Sequence, residues 1–273
     1  MKTLVFVFPL LAGALACAQE NPSDRITVPF SDPSRPHTLK VHLINGGITV
    51  KGYDGKDAII ETRGQGSEHE HRGRVPHGAE GMKRIDNTAL GLTAEEEDNV
   101  LTIGMSPSRE SDVVIQVPVN TSLKLTCVNG GDINVDRITG EIEVNNVNGG
   151  VTLTNVAGSV IAHALNKNVV VKLNKITPDK SMSFSSLNGD IDVTLPADTK
   201  ARVKLKTDNG EIYSDFDVKL DASGQRPVIE DGRPNRGKYR VRIEHAMYGT
   251  INGGGPEFQF QTFNGNVYIR KAK

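Results

Sequence analysis

Apolar residues two apart recur every nine residues through the centre of the chain, at Ile133/Val135, Ile142/Val144, Val151/Leu153, Val160/Ala162 and Val169/Val171. A second apolar series, Ile138, Val147, Val156 and Leu165, keeps the same step. After a four-residue insertion the register returns at Met182/Phe184 and Ile191/Val193; a further shift gives Val203/Leu205 and then Ile212. A fixed internal period is the signature of a repeat architecture, and the two-residue alternation is that of a strand. A nine-residue unit has no room for a strand, a helix and two turns, which excludes helices from residues 127–215. Asn-Gly pairs at Asn45, Asn129, Asn148, Asn188, Asn209, Asn252 and Asn264 supply residues that tolerate positive φ beside the strands. Two all-β architectures fit. In a parallel β-solenoid, roughly two units make one coil, and equivalent side chains stack in ladders about 4.8 Å apart. In an antiparallel meander or sandwich, each unit is one strand and one turn, which the Asn-Gly pairs favour locally. Strict stacking of like residues favours the solenoid.

Outside the centre the pattern is less regular. Lys2, an apolar run from Leu4 to Leu11 and the small residues that follow make residues 1–18 a signal peptide. Ala16-Cys17-Ala18 permits cleavage before Gln19. Ala14-Leu15-Ala16-Cys17 resembles a lipoprotein signal with Cys17 lipidated, although Ala14 replaces the usual Leu; simple secretion is favoured. Residues 19–38, with four prolines, read as an extended leader. Residues 39–273 form the repeat domain, interrupted by a Gly-, His- and Arg-rich loop at 63–84 and an insertion at 217–238. Strands are expected at its C-terminal end around Tyr239–Ile243, Phe258–Phe260 and Val267–Ile269, their aromatics forming an end cap.

Composition narrows the function. Lys and Arg number 32 against 33 Asp and Glu, with no basic excess for nucleic acid. No later apolar run approaches membrane-spanning length, so contact with a membrane is expected only through a lipid anchor. If Cys17 is removed, Cys127 stands alone and reads as a small buried apolar residue.

The segments NGGITVKGYDGKDAIIETRG (45–64), VVIQVPVNTSLKLTCVNGGDINVDRITGEIEVNNVNGGVTLTNVAGSV (113–160) and SLNGDIDVTLPADTKARVKLKTDNGEIYSDF (186–216) resemble the bacterial adhesin-like family with DUF4097-type β-strand repeats. The likeness covers roughly 39–270. It implies a β-helix-like fold, a cell-envelope setting and, loosely, a binding role; it brings no catalytic residues and no cofactor. The loops at 63–84 and 217–238 are the least covered.

Several residues carry candidate chemistry. Glu68, His69, Glu70, His71 and His77 could hold a metal, but the flexible Gly-rich loop favours a solvated surface. Asp132 and Asp190 are expected to cap turns, since a calcium-binding nonapeptide would need Gly and Asp in every unit. Glu141, Glu143, Asp190, Asp192 and Glu211 could serve a polysaccharide-cleaving enzyme on the same scaffold, but they alternate with apolar residues as solvent-facing positions do. Ile161 and Val170 break that alternation, giving strands apolar on both sides. A terminal segment is expected to cover them; otherwise they form an interaction patch. The expectation is a non-enzymatic exported envelope protein, periplasmic, envelope-bound or extracellular. It acts as a scaffold for adhesion, assembly or envelope sensing toward a protein or glycan partner.

Overall fold

The structure is a computed structural model that describes residues 25–64, 91–106, 111–221, 227–231, 239–243 and 246–273. Every regular element among these residues is a β-strand. One sheet of 19 strands winds nearly round an axis, and a separate two-stranded hairpin pairs Pro227–Asp231 with Tyr239–Ile243. The architecture is a mostly parallel β-solenoid. The Asn-Gly pairs at 45, 129, 148, 188, 209 and 264 turn corners between parallel strands and do not close hairpins.

One coil shows how the repeat builds it. Ile142–Asn146 lies on the first face, a corner follows, and Val151–Gly158 lies on the second face. The next coil places Val160 over Ile142 and Val169 over Val151, a step of two nine-residue units. After the turn at 177–181 the partners become Ile161 with Ser183 and Val169 with Ile191, because the four-residue insertion bulges at a corner and leaves both faces in register. Inward rows therefore stack like on like. Val144, Ala162, Phe184 and Phe260 form one such row, in which Ala162 makes room beside the large Phe184 ring. Phe184 and Phe260 stack at 5.1 Å, and both are fully buried.

The two corners of a coil differ. At the corner after the second face, Ile138 and Val156 turn inward and are fully buried. At the corner after the first face, the inward position is taken by Cys127, Asn146, Ala164, Ser186, Thr262 and Thr207. Several of these bond the corner carbonyl of a neighbouring coil, as Asn146 does to Gly131 O at 3.0 Å and Thr262 does to Gly189 O at 2.9 Å. Val147 and Leu165, next along the chain, are displaced outward and half-buried. The single nine-step series thus splits into two kinds of position. Glycine also has two different reasons at these corners. Gly46 and Gly130 have φ of 102° and 93°. Gly149 instead sits where a Cβ would lie 2.0 Å from Gly131 O, so a side chain would push two coils apart.

Stack order departs from chain order at both ends. Thr38–Tyr53 lies between the coil of Val100–Met105 and Ser111–Pro118 and the coil of Ser122–Asp136. Glu257–Asn264 and Val267–Lys271 slot between the coil of Met182–Ser186 and Ile191–Leu195 and the coil of Ala201–Asn209 and Ile212–Ser214. Phe258 and Phe260 are therefore core within the stack and not an end cap. Antiparallel strands close most of the stack's edges: Leu92–Glu97, Ala58–Gly64 with Arg25–Val28, and Met247–Ile251 with Val218–Leu220. The Glu95-Glu96-Glu97 edge is acidic, which opposes further strand pairing.

A polar clasp holds the chain ahead of the first intercalated strand. Glu96 accepts from Ser31 N, Ser31 Oγ and Asn99 N at 3.1, 2.8 and 2.9 Å. Asp32 accepts from Ser34 N, Ser34 Oγ and Arg35 Nε at 3.0, 2.6 and 3.1 Å. The bond from the Ser34 hydroxyl is the main reason Asp32 sits below its ordinary value, and the Ser31 amide does the same for Glu96.

Two outcomes follow. Gly149→Ala should destabilise by roughly 3 kcal/mol or more, as a buried backbone clash does. Gly253→Ala, at φ 89° with nothing within 4 Å of its Cβ position, should cost only about 1–2 kcal/mol. Urea midpoints measure both, and equal losses would contradict the close stacking of coils. Because the folded carboxyls of Asp32 and Glu96 are depressed, the clasp is fully present above their ordinary values and weakens as pH falls through their folded values. Exchange of the Ser31 and Ser34 amides should therefore open relative to the Ile133 and Val151 amides between about pH 6 and pH 3. Unchanged relative protection would refute the clasp.

Candidate interaction surface

The corner after the first face assembles a continuous surface. Its most regular component is a ladder of asparagine side chains. Asn148 Nδ2 donates to Asn129 Oδ1 at 3.0 Å, Asn166 to Asn148 at 2.8 Å and Asn188 to Asn166 at 3.0 Å. Asn264 then donates to Asn188 and Asn209 to Asn264, both at 2.8 Å. Asn45 continues the row in register with Asn129. The Asn-Gly pairs marked most of this row in the sequence, but Asn166 precedes Lys167 and escapes that pattern. Asn252 has the pattern without the place: its Nδ2 bonds Ala197 O and Thr199 O at 3.3 and 2.8 Å.

Beside the ladder runs an apolar row, one position earlier in each coil: Ile44, Val128, Val147, Leu165, Leu187 and Phe263. The first four are half-buried, while Leu187 is 41% and Phe263 46% exposed. On its other side lie His42, Thr126, Asn145, His163, Ser185 and Gln261, with His163 Nδ1 2.7 Å from Ser185 Oγ. Across these three rows, from the Ile44 coil to the Phe263 coil, no Lys, Arg, Asp or Glu occurs. In a chain that is 24% charged, this is a built depletion. Lys167 borders the strip, and Lys206 and Asp208 end it in the outermost coil, 3.8 Å apart. Half of the nine-step apolar series, Val147 and Leu165, was the signal for the apolar row; its other half fills the core.

The structure does not bring Ile161 and Val170 together. Ile161 points out from the first face between Glu143 and Ser183 and is 50% exposed. Val170 points out from the second face between Thr152 and Asp192 and is half-buried. No described segment covers Ile161, which lies one outward row from His163. Cys17 and the His69, His71 and His77 cluster lie outside the described residues.

The remaining candidates have structural work. Asp132 Oδ1 accepts from Gly150 N and Asp190 Oδ1 from Asn266 N, both at 2.7 Å, so each caps the amide of an adjacent coil. Glu141 pairs with Lys180 and Glu143 with Lys124, both at 3.1 Å, on the first face. Asp192 binds Arg270 Nε at 2.8 and 3.0 Å on the second face, and Glu211 accepts from the Tyr213 hydroxyl. These carboxylates do not converge on one cleft. A cleft of about 570 Å³ between residues 174–179, 196–200 and 254–256 is lined by Lys175 and Lys200 together with Asp179 and Asp198, so its charges balance. No cluster of three or more His, Cys, Asp or Glu suited to a metal occurs among the described residues.

Residues 128–252 match the family described as Toastrack DUF4097, which bears out the likeness to DUF4097-type repeats over that segment. The intercalated strands Thr38–Tyr53 and Glu257–Asn264 lie outside it yet carry the same rows. No curated protein matches the chain. Among solved structures, a Clostridium sporogenes protein named for cell adhesion is 12% identical, with a TM-score of 0.40, covering 92% of this chain and 100% of its own. An adhesin-named protein of Bacteroides fragilis is 14% identical, with a TM-score of 0.30, covering 92% and 99%. One of Parabacteroides merdae is 9% identical, with a TM-score of 0.28, covering 91% and 95%.

Cys127 is fully buried in the inward row of this corner, and its thiol donates to Gly46 O at 3.0 Å. Burial is the main reason its thiol is pushed above the ordinary value. Peptide mapping after iodoacetamide treatment at neutral pH should find Cys127 unmodified in the folded protein and fully modified in denaturant; prompt modification of folded protein would refute its burial.

Proposed function

With residues 128–252 forming a Toastrack DUF4097 segment, we propose that this chain is an exported, non-enzymatic scaffold of the bacterial cell envelope. It works by holding a partner along the uncharged corner strip. The carrying observation is that strip: an apolar row, half-buried from Ile44 to Leu165 and exposed at Leu187 and Phe263, flanked by an asparagine row and by a row of His, Thr, Asn, Ser and Gln, with no Lys, Arg, Asp or Glu across successive coils. Charge depletion around exposed apolar groups is the compositional mark of a binding surface. Export is supported by the basic start, apolar run and small residues of positions 1–18. The dispersed carboxylates, each engaged by a cation, a hydroxyl or a backbone amide, support a scaffold over a glycosidase.

Leu187→Glu and Phe263→Glu test the reading. Leu187 is 41% and Phe263 46% exposed, so stability should shift by no more than about 1 kcal/mol. Retention of the purified mature chain on isolated envelope fragments of the producing bacterium should fall at least about tenfold, a loss of about 1.4 kcal/mol. Retention equal to that of the parent would remove the strip as the binding surface.

A further inference from the structure

The geometry points to an extended, uncharged polysaccharide as the occupant of the corner strip, lying along the solenoid axis; this rests on the strip being the binding surface proposed above. Four observations select that chemistry.

The first is the spare hydrogen-bonding capacity of the ladder. An Asn side chain offers two N–H donors and a carbonyl oxygen with two lone pairs. Asn148, Asn166, Asn188 and Asn264 each donate once along the ladder and accept once from it. One donor and one lone pair per residue are left over, on side chains that are exposed. Because the ladder bonds fix each amide, these groups form a rigid row of alternating donors and acceptors, spaced about 4.8 Å apart by the strand separation. Sugar hydroxyls both donate and accept, so they match a mixed row, and little ordering is needed on the protein side.

The second is the parallel apolar row. Leu165, Leu187 and Phe263 lie one position from Asn166, Asn188 and Asn264. A polymer with C–H faces and hydroxyl edges presents the same two chemistries side by side, and the Phe263 ring offers a flat apolar contact.

The third is the missing charge. Nucleic acids and anionic polymers are held by arrays of cations, and charged peptides by opposite charges. The strip has neither sign between the Ile44 and Phe263 coils. Extended peptides are also commonly captured by pairing with a sheet edge. Here the backbone ladders continue through the strip, and the edges lie at the ends of the stack.

The fourth is size. Five steps of about 4.8 Å give a length of about 24 Å, and three residue steps of about 3.3 Å across give a width of about 10 Å. Two copies meeting here would hide about 500 Å² in total, well below the roughly 1,200 Å² of a stable interface. A long, narrow strip suits a polymer strand better than a second copy of the chain.

The experiment is retention of the purified mature chain on insoluble cellulose, on chitin and on cross-linked dextran, with alginate beads as the anionic control. Retention is expected on at least one neutral polymer. It should persist from low salt to about 1 M NaCl, because no exposed ion pair carries it. Leu187→Glu and, separately, Asn166→Asp should each reduce it at least tenfold with the melting temperature within a few degrees of the parent's, the cost of one exposed hydrogen bond or one partly covered leucine. Failure of all three neutral polymers to retain the parent overturns the inference, as does retention on alginate alone that salt abolishes, or neutral retention that both variants keep. The envelope assay separates the two proposals. If Leu187→Glu abolishes envelope retention while no neutral polymer holds the parent, the strip stays a binding surface and its partner is not an uncharged polysaccharide. If neither assay responds, both readings fall.

Discussion

Each coil inside the stack satisfies its backbone through the coils above and below it, at one fixed strand spacing. That ladder forces each inward side chain to rest on its counterpart a few ångströms away. The row Val144, Ala162, Phe184, Phe260 shows how tightly this binds the sequence, since a ring is admitted only where its neighbour is small or can stack with it. Truncating such a ring typically costs about 3–5 kcal/mol, because a solenoid core is only as thick as its two facing side chains and cannot collapse around the gap. With few aromatics and no tryptophan, Val, Ile and Leu on both faces supply most of the apolar burial, joined by Phe184, Phe258 and Phe260.

The corners answer the same constraint with polar chemistry. A chain that reverses direction between two faces leaves carbonyls and amides unpaired unless something reaches them. Asn146, Ser186, Thr262 and Thr207 turn inward to bond carbonyls, while Asp132, Asn168, Asp190 and Asn266 accept from amides of an adjacent coil. Each such bond contributes only about 1 kcal/mol net, but a missing one would leave a desolvated group costing more than that. The residue after the inward one falls on the outside in every coil, whether the inward one is polar, as Asn146 and Ser186 are, or apolar, as Leu43 and Ala164 are. The apolar row of the candidate surface is thus a consequence of which residue each corner turns inward.

The order of coils is a different matter. Glu257–Asn264 completes the Asn ladder between Asn188 and Asn209, so the surface becomes continuous only after the C-terminal strands have entered the stack. Thr38–Tyr53 does the same at the other end. Closing those long connections costs entropy, so the continuity of the strip rests on contacts between residues far apart in the chain.

The nine-residue step and the strand alternation determined, from the sequence alone, that the chain is a β-repeat with no helix in its centre and with rows of Val, Ile and Leu inside. They did so because period and side-chain direction are local properties of the backbone. Asn-Gly pairs likewise located most of the corner ladder, and the spacing of carboxylates among apolar residues placed them on outward positions. Tertiary structure alone decided that Val147 and Leu165 face out while Ile138 and Val156 face in, that Ile161 and Val170 lie on opposite faces, and that Phe258 and Phe260 belong to the middle of the stack. Those outcomes depend on which coil lies next to which, and residues far apart in the chain settle that by competing for the same ladder of hydrogen bonds.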